Sequence, residues 1–246
     1  MERSEKKVAL VTGGSRGIGA AIVRKLAAKG ILVAFTYAKS QKESDTLVNE
    51  IGKDGQDVLA IQADSANATA IVQAIQQVIS TFGRIDILVN NAGIYIGKAF
   101  EEHTWEDYEQ IMAVNVRAQY VAALEAVKYL PNGGRIINIG SNMAENALSP
   151  QTTLYTMSKS ALTGFTRGLA RDLGTKGITV NVVQPGPIDT DMNPADTELA
   201  DLLRSRMALP DYGTGADIAG LVYFLASDDG KYITGTALTI DGGLNA

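Results

Sequence analysis

The sequence predicts one α/β domain on a seven-stranded parallel sheet, doubly wound, with helices on both faces. Three observations predict it. Short continuous apolar runs, the pattern of strands buried on both sides, alternate along the chain with amphipathic stretches of helical length. The first run, Val8 to Thr12, passes through a glycine-rich turn into a helical stretch, the arrangement of a phosphate-binding turn. No linker, repeat or low-complexity tract interrupts the 246 residues, so 1-246 reads as a single dinucleotide-binding domain.

Composition narrows the chemistry. A hydrophobic content of 46% supports a full core, and the absence of cysteine excludes disulfides and thiolate chemistry. Met1 to Lys7 is charged, no signal-type segment follows, and no run is long enough to span a bilayer, so a cytoplasmic, non-membrane protein is expected. A net charge of -5 argues against general nucleic-acid affinity while allowing a local basic pocket for a phosphate. The single histidine, His103, precedes Thr104-Trp105-Glu106-Asp107, a helix start, and reads as peripheral. One histidine is too few for a multi-histidine metal site, and no metal is expected. Chemistry is left to Tyr, Lys, Ser or carboxylates.

After the first strand comes Gly13-Gly14-Ser15-Arg16-Gly17-Ile18-Gly19, then a helix through Lys29. Glycines let the backbone approach a pyrophosphate, and the amides and dipole of the helix start attract its charge. Ile31 to Tyr37 is the second strand, ending Tyr37-Ala38-Lys39-Ser40 without the carboxylate that an NAD-selective site places there. Arg16, Lys39, Ser40 and Lys42 offer charge and donors for a 2′-phosphate, so NADP(H) is expected ahead of NAD(H), the alternative being that these cations are merely solvated. A helix over about 41-54 leads to a strand at Val58 to Ala63, closed by Asp64-Ser65. Asp64 is placed either to accept from the adenine amino group or to cap the next helix. That helix, about 68-82, leads to the strand Ile85 to Val89 and to Asn90-Asn91-Ala92-Gly93, which belongs in the same crevice as the glycine turn.

A long helix is expected from Thr104 to about Leu130, with Asn115 inside its apolar stretch either mending a kink or ordering a water. Arg135 to Ser141 is the fifth strand, bringing Ser141 to its carboxyl end. In the next helix Tyr155 and Lys159 stand one turn apart on one face, so an ammonium beside the phenol is expected to lower its pKa. Ile178 to Val183 is the sixth strand, and Pro185-Gly186-Pro187-Ile188-Asp189-Thr190 makes a rigid turn for a nicotinamide ring. The segment 191-212 reads as a substrate lid, and a helix near 216-226 precedes the seventh strand, Thr236 to Ile240. Met143, Ala144, Leu148, Pro150, Met192 and Met207 either line an apolar substrate pocket or serve as packing.

The sequence resembles the short-chain dehydrogenase/reductase family along nearly its whole length. The matching residues are Thr12 to Gly19, Asn90 to Gly93, Asn115, Ser141, Tyr155 with Lys159, Asn181 and Pro185-Gly186. The resemblance implies a Rossmann fold and hydride transfer between NADP(H) and a small-molecule carbonyl/alcohol pair. It implies that Tyr155 is the general acid/base, that Ser141 holds the substrate oxygen, and that Lys159 binds the nicotinamide ribose and lowers the Tyr155 pKa. Asn115 would hold a water in a proton relay. A homotetramer or homodimer is also implied, with the helices from Thr104 and Thr153 at one interface and the C-terminal strand region at another. Within the family the chain is similar to bacterial ketoacyl-carrier-protein reductases. It is more closely similar to cyclic-di-GMP-binding proteins of biofilm dispersal, at Phe35 to Ala38, Asn181 to Asp191 and Thr239 to Gly242. A sensor that acts by binding cyclic-di-GMP is therefore the alternative to an enzyme. The interval from Ser141 to Tyr155 is one residue longer than in the carrier-protein reductases, which alters the loop from Asn142 to Leu154.

Overall fold

In the computed structural model, which describes residues 6–246, seven strands form one parallel sheet in the order β3-β2-β1-β4-β5-β6-β7. The charged opening Met1 to Glu5 lies outside the described residues. The strands are β1 Val8–Val11, β2 Leu32–Tyr37, β3 Val58–Gln62, β4 Ile87–Asn90, β5 Arg135–Ile139, β6 Thr179–Pro185 and β7 Ala237–Ile240. Successive side chains of a strand leave on opposite faces, and the core divides accordingly. Ala9, Val11, Val33, Phe35, Val89 and Ile137 face one layer with α1 (Gly17–Ala28), α2 (Gln41–Lys53) and α8 (Gly215–Ala226). Val8, Leu10, Leu32, Ala34, Leu88 and Ile136 face the other, with α3 (Ala68–Phe82), α5 (Ala118–Ala126) and α6 (Thr153–Leu173). Burial on both sides explains why β1, β2, β4, β5 and β6 read as continuous apolar runs, whereas the edge strands β3 and β7 are only partly buried.

Local chemistry sets where helices begin and end. Asn67 caps α3 by accepting from the N–H groups of Thr69 and Ala70, and Gly83, at φ +78°, ends it in the left-handed region that disfavours a side chain. Thr104 and Asp107 exchange hydrogen bonds in a capping box at α4 (Trp105–Met112).

Two expectations require correction. The helix expected from Thr104 to about Leu130 runs unbroken from Trp105 to Ala126 but is not α-helical throughout: α4 ends at Met112, a π-helical segment occupies Ala113–Arg117, and α5 follows. The extra residue per turn sits where Asn115 turns its amide to bonds outside the helix. The segment 191-212 also contains an unforeseen helix, α7 Glu198–Arg204, whose cap Thr197 accepts from Ala200 N–H. Arg204 donates to Ala195 O at 2.8 Å, and the amides of Ala208 and Leu209 both donate to Gly242 O, tying this segment to the C-terminal loop.

Candidate active site

The chain reverses its winding between β1 and β4, so the crevice at the carboxyl ends of these neighbours is where an open parallel sheet binds ligands. The β1–α1 turn is built there by backbone. Gly13 and Gly17 adopt φ +64° and +53°. At Gly19 a methyl would lie 2.2 Å from Gly13 O and 2.6 Å from Asn91 Nδ2, so only glycine fits. Thr36 on β2 fixes the turn, its Oγ1 accepting from Gly13 N–H at 3.1 Å and its carbonyl from Gly14 N–H at 2.9 Å. Asn91 fixes it from β4, its Nδ2 donating to Thr12 O and Gly13 O at 3.0 and 2.9 Å. Thr12 Oγ1 accepts in return from the amides of Asn91 and Ala92. Arg16, at the N-cap of α1, makes no side-chain cap bond, and the first turn holds no acidic residue. The amides around Gly17, Ile18 and Gly19 and the positive end of the α1 dipole thus face no competing side-chain anion, which fits a pyrophosphate.

The rim beside β2 carries no carboxylate between Tyr37 and Ser40. Ala38 and Lys39 are exposed, while Tyr37 is buried with its hydroxyl bonded to Gln41. Ser40 opens α2, and its carbonyl accepts from the amide and hydroxyl of Ser44. Arg16 Nη1 lies 3.2 Å from Asp191 Oδ2, with both side chains largely exposed. Past β3, Ala63 is buried and pairs its amide with Tyr37 O, and Ser65 is half-buried. Asp64 is exposed and accepts from Ala66 N–H at 2.9 Å; the cap of α3 is Asn67, not Asp64.

Opposite this rim, Pro185 ends β6 and Gly186 donates to Ile240 O at 3.0 Å. A methyl at Gly186 would meet Asp241 Cβ at 2.4 Å. Ile188 is buried, and a methyl at Gly17 would meet Thr190 Cγ2 at 3.4 Å, so the glycine turn and the loop after β6 flank one crevice.

Ser141 follows β5 in extended conformation, its Oγ accepting from Met143 N–H at 3.2 Å. The Tyr155 phenol reaches it from α6, near enough for the Ser141 hydroxyl to favour the phenolate. Lys159 is buried, donates to Ile139 O at 3.0 Å and holds its Nζ 5.6 Å from the Tyr155 ring centre. A methyl at Gly93 would stand 3.3 Å from that Nζ and 3.5 Å from Asn115 Oδ1, so the glycine lets three elements converge. Asn115 Oδ1 accepts from Ile94 N–H at 2.8 Å, while Nδ2 donates to Ile94 O at 2.9 Å and to Ser158 Oγ at 3.0 Å. Asn115 therefore clamps the chain leaving β4 at the π-helical segment.

Electrostatics corrects the expectation for the phenol. Burial pushes Tyr155 up to about 12; the Ser141 hydrogen bond opposes this, and Tyr95 adds to it. Burial likewise pushes Lys159 down to about 8. Desolvation penalises both charged forms and, for the phenol, outweighs the neighbouring ammonium, whose Nζ stands 5.6 Å from the ring centre.

Three features escaped the sequence reading. Ser158 Oγ receives the Asn115 amide and donates to Tyr155 O at 2.7 Å, joining the clamp to the backbone of Tyr155. Tyr95 sets its ring against Tyr155, centroids 5.1 Å apart. Buried Gln184 donates to Glu145 Oε1 at 3.1 Å, bracing the loop after Ser141. Only the position of Ser158, directly before Lys159, offered a signal. Of the apolar candidates, Met143, Ala144 and Leu148 are half-buried, Pro150 and Met192 are exposed, and the Met207 methyl packs on Gly242. His103 is buried at the start of α4, its Nδ1 4.0 Å from Asp107. A hollow of about 410 Å³ at the opposite end of the sheet holds Lys7 and Arg84, paired with Asp228 and Asp86, and Arg135, which donates to backbone carbonyls. Lys7, Arg84 and Arg135 are thus engaged in holding the sheet's amino end. Among the described residues no cluster of three or more candidate metal ligands occurs, and no helix is long and apolar enough to cross a membrane.

The model of a family described as enoyl-(acyl carrier protein) reductase matches residues 13–245. A curated relative, the cyclic-di-GMP-binding biofilm dispersal mediator protein of Escherichia coli K12, is 44% identical over 241 residues, covering 98% of each chain. A blue fluorescent protein from a metagenomic library, solved with NADPH, superposes at a TM-score of 0.96 with 56% identity over 98% of both chains. A short-chain dehydrogenase from Burkholderia cenocepacia J2315, solved with NADP, does so at 0.96 with 51% identity over 100% of both.

Proposed function

The chain belongs to the short-chain dehydrogenase/reductase family, and from that premise we propose how its residues divide the work. It is an NADP(H)-dependent oxidoreductase that interconverts a carbonyl and an alcohol. One observation carries the assignment of roles: Ser141, just after β5, and Tyr155 and Lys159, on α6, converge beside Gly93 and the glycine turn.

The coenzyme, when bound, supplies a hydride to the carbonyl carbon. Residues 13–19 and the α1 amides seat its pyrophosphate, with Asn91, Ala92 and Gly93 shaping the floor. Arg16, Lys39 and Ser40 hold the 2′-phosphate beside Tyr37 and Ala38, and Ala63, Asp64 and Ser65 border the adenine. Pro185, Gly186, Ile188 and Thr190 border the nicotinamide. The Ser141 hydroxyl donates to the carbonyl oxygen and steadies its growing charge, and Tyr155 gives that oxygen a proton. Because burial keeps the phenol protonated, Tyr155 stands ready as an acid in the reductive direction. Lys159 binds the ribose and opposes the charge left on the phenol, while Asn115 holds this assembly through Ser158. The single domain 1-246 carries a substrate lid at about 191-212.

NADPH consumption with a panel of ketones, compared with NADH, tests this reading. Turnover of carbonyls at higher kcat/KM with NADPH is expected; absence of turnover with either coenzyme, in either direction, overturns it.

The E. coli relative supports a second reading, binding of cyclic-di-GMP. It expects calorimetric affinity in the low-micromolar range, about -8 kcal/mol, and fails if no heat accompanies titration while NADPH binds. We further propose a homotetramer in the bacterial cytoplasm. Exposed Trp105, Tyr120, Leu124 and Met157 beside an apolar groove of about 340 Å³ between α4, α5 and α6 support one interface, and exposed Phe224 and Tyr232 a second. Sedimentation as a monomer would refute it.

A further inference from the structure

Tyr95 lies next to Ile94, whose amide and carbonyl are both held by Asn115, so its backbone is fixed from the π-helical segment. Its ring is fixed as well. A methyl at Gly97 would lie 2.7 Å from both Cε1 and the hydroxyl oxygen and 2.9 Å from Cζ, so the bare Gly97 backbone abuts that edge. Tyr155 takes another side, with centroids 5.1 Å apart and planes inclined at 69°. Yet 46% of Tyr95 stays exposed. A large aromatic surface is thus held open beside the reactive phenol and spent on no core packing.

We infer that Tyr95 is a specificity-determining residue, a wall of the substrate site that selects carbonyl compounds whose C=O is attached to a flat aromatic ring. The inference rests on the carbonyl-reductase reading above and adds the substrate class to it. An oxygen bonded by Ser141 and Tyr155 places the substituent on its carbon within reach of a ring packed on Tyr155. A flat aromatic substituent meets that ring in a stacked or edge-to-face contact, worth about three- to tenfold in binding beyond the area it buries. A saturated ring of the same size cannot approach as closely. Rigid mounting strengthens the selection, because the wall does not have to be ordered when substrate arrives.

The experiment compares 1-tetralone with 1-decalone, the same carbon skeleton flat or puckered, using NADPH and the full-length wild type, Tyr95→Phe and Tyr95→Ala. The wild type is expected to prefer 1-tetralone about tenfold in kcat/KM, and Tyr95→Phe to keep that preference. Tyr95→Ala is expected to lose it, chiefly through a rise in KM for 1-tetralone of about tenfold, with KM for NADPH unchanged. Equal losses on both ketones, or a preference that survives Tyr95→Ala, overturns the role given to Tyr95 while leaving the reductase reading intact. A wild type that binds NADPH by fluorescence but reduces neither these ketones nor any of the wider panel overturns both.

Discussion

At the coenzyme side of the crevice the protein builds with main chain; at the substrate side it builds with side chains carried on loops. The turn from Gly13 to Gly19 owes its shape to missing side chains and to bonds from Thr36 and Asn91, both anchored at strand ends. On the reading proposed above, the substrate side is bordered by Tyr95, the loop after Ser141 and the segment around α7, where bonds such as Gln184 to Glu145 and Arg204 to Ala195 brace the chain. A pyrophosphate demands the same contacts in every relative that uses it, and backbone meets such a demand. A substrate of particular shape is met by side chains, which can differ without disturbing the fold.

The sharpest way to break this division is to remove the hydroxyl that carries the proton, on a residue expected to border the coenzyme as well as to do the chemistry. Tyr155→Phe is expected to lower kcat for ketone reduction by about a thousandfold, while NADPH affinity by fluorescence titration stays within about twofold. Comparable losses in both would make the Tyr155 hydroxyl part of the coenzyme seat. The reciprocal change is Gly19→Ala, where the methyl meets the Gly13 carbonyl at 2.2 Å and the Asn91 amide at 2.6 Å. Forcing these apart costs about 1–3 kcal/mol and disturbs the amides that seat the pyrophosphate. NADPH affinity should fall at least tenfold, and retained affinity would show that the turn has room to give.

The pH profile sharpens the comparison because two buried groups of the site are displaced in opposite directions. Lys159, brought down to about 8, loses its positive charge as pH rises through that value. Tyr155, at about 12, keeps its proton throughout the accessible range. Reductive kcat/KM for NADPH, which reports the free enzyme, should therefore be level from about pH 6 to 7.5 and fall above about 8, approaching tenfold per unit. A phenol tuned to neutrality by Lys159, as the spacing alone suggests, would make reduction decline from below pH 7. A profile of that form would restore the sequence expectation.

That expectation shows what the sequence conveys and what it does not. Tyr155 and Lys159 lie one turn apart on α6, as their spacing predicts; spacing fixes position on a helix. Their pKa values depend on how much of the protein closes around them, which no spacing encodes. The seven strands, their buried faces and the glycine turn were legible because hydrophobic period and glycine conformation are local properties. The π-helical segment at Ala113–Arg117 was half legible: Asn115 marked the place, but its partner Ile94 is distant in sequence. Tyr95 was illegible, since an isolated tyrosine in a loop carries no pattern. Helix α7 carries a local signal, Thr197 followed by Glu198 and a leucine-rich turn, in a stretch whose prolines favour loop.

The smallest effect is expected where the two regions touch. Arg16 belongs to the glycine turn and Asp191 to the start of the segment proposed as a lid, and their contact at 3.2 Å is largely open to solvent. Such exposed pairs contribute about 0–1 kcal/mol, whereas a guanidinium on a doubly charged phosphate makes a stronger, charge-assisted contact. Arg16 should therefore leave Asp191 for the 2′-phosphate at little cost. Arg16→Ala is expected to raise KM for NADPH about tenfold and leave KM for NADH within about twofold. Asp191→Asn, which only frees the arginine, should lower KM for NADPH by no more than about threefold. If Asp191→Asn instead changes kcat on ketones as strongly as Arg16→Ala changes KM, the pair works as a latch between coenzyme and lid, and the two regions cannot be treated as separate.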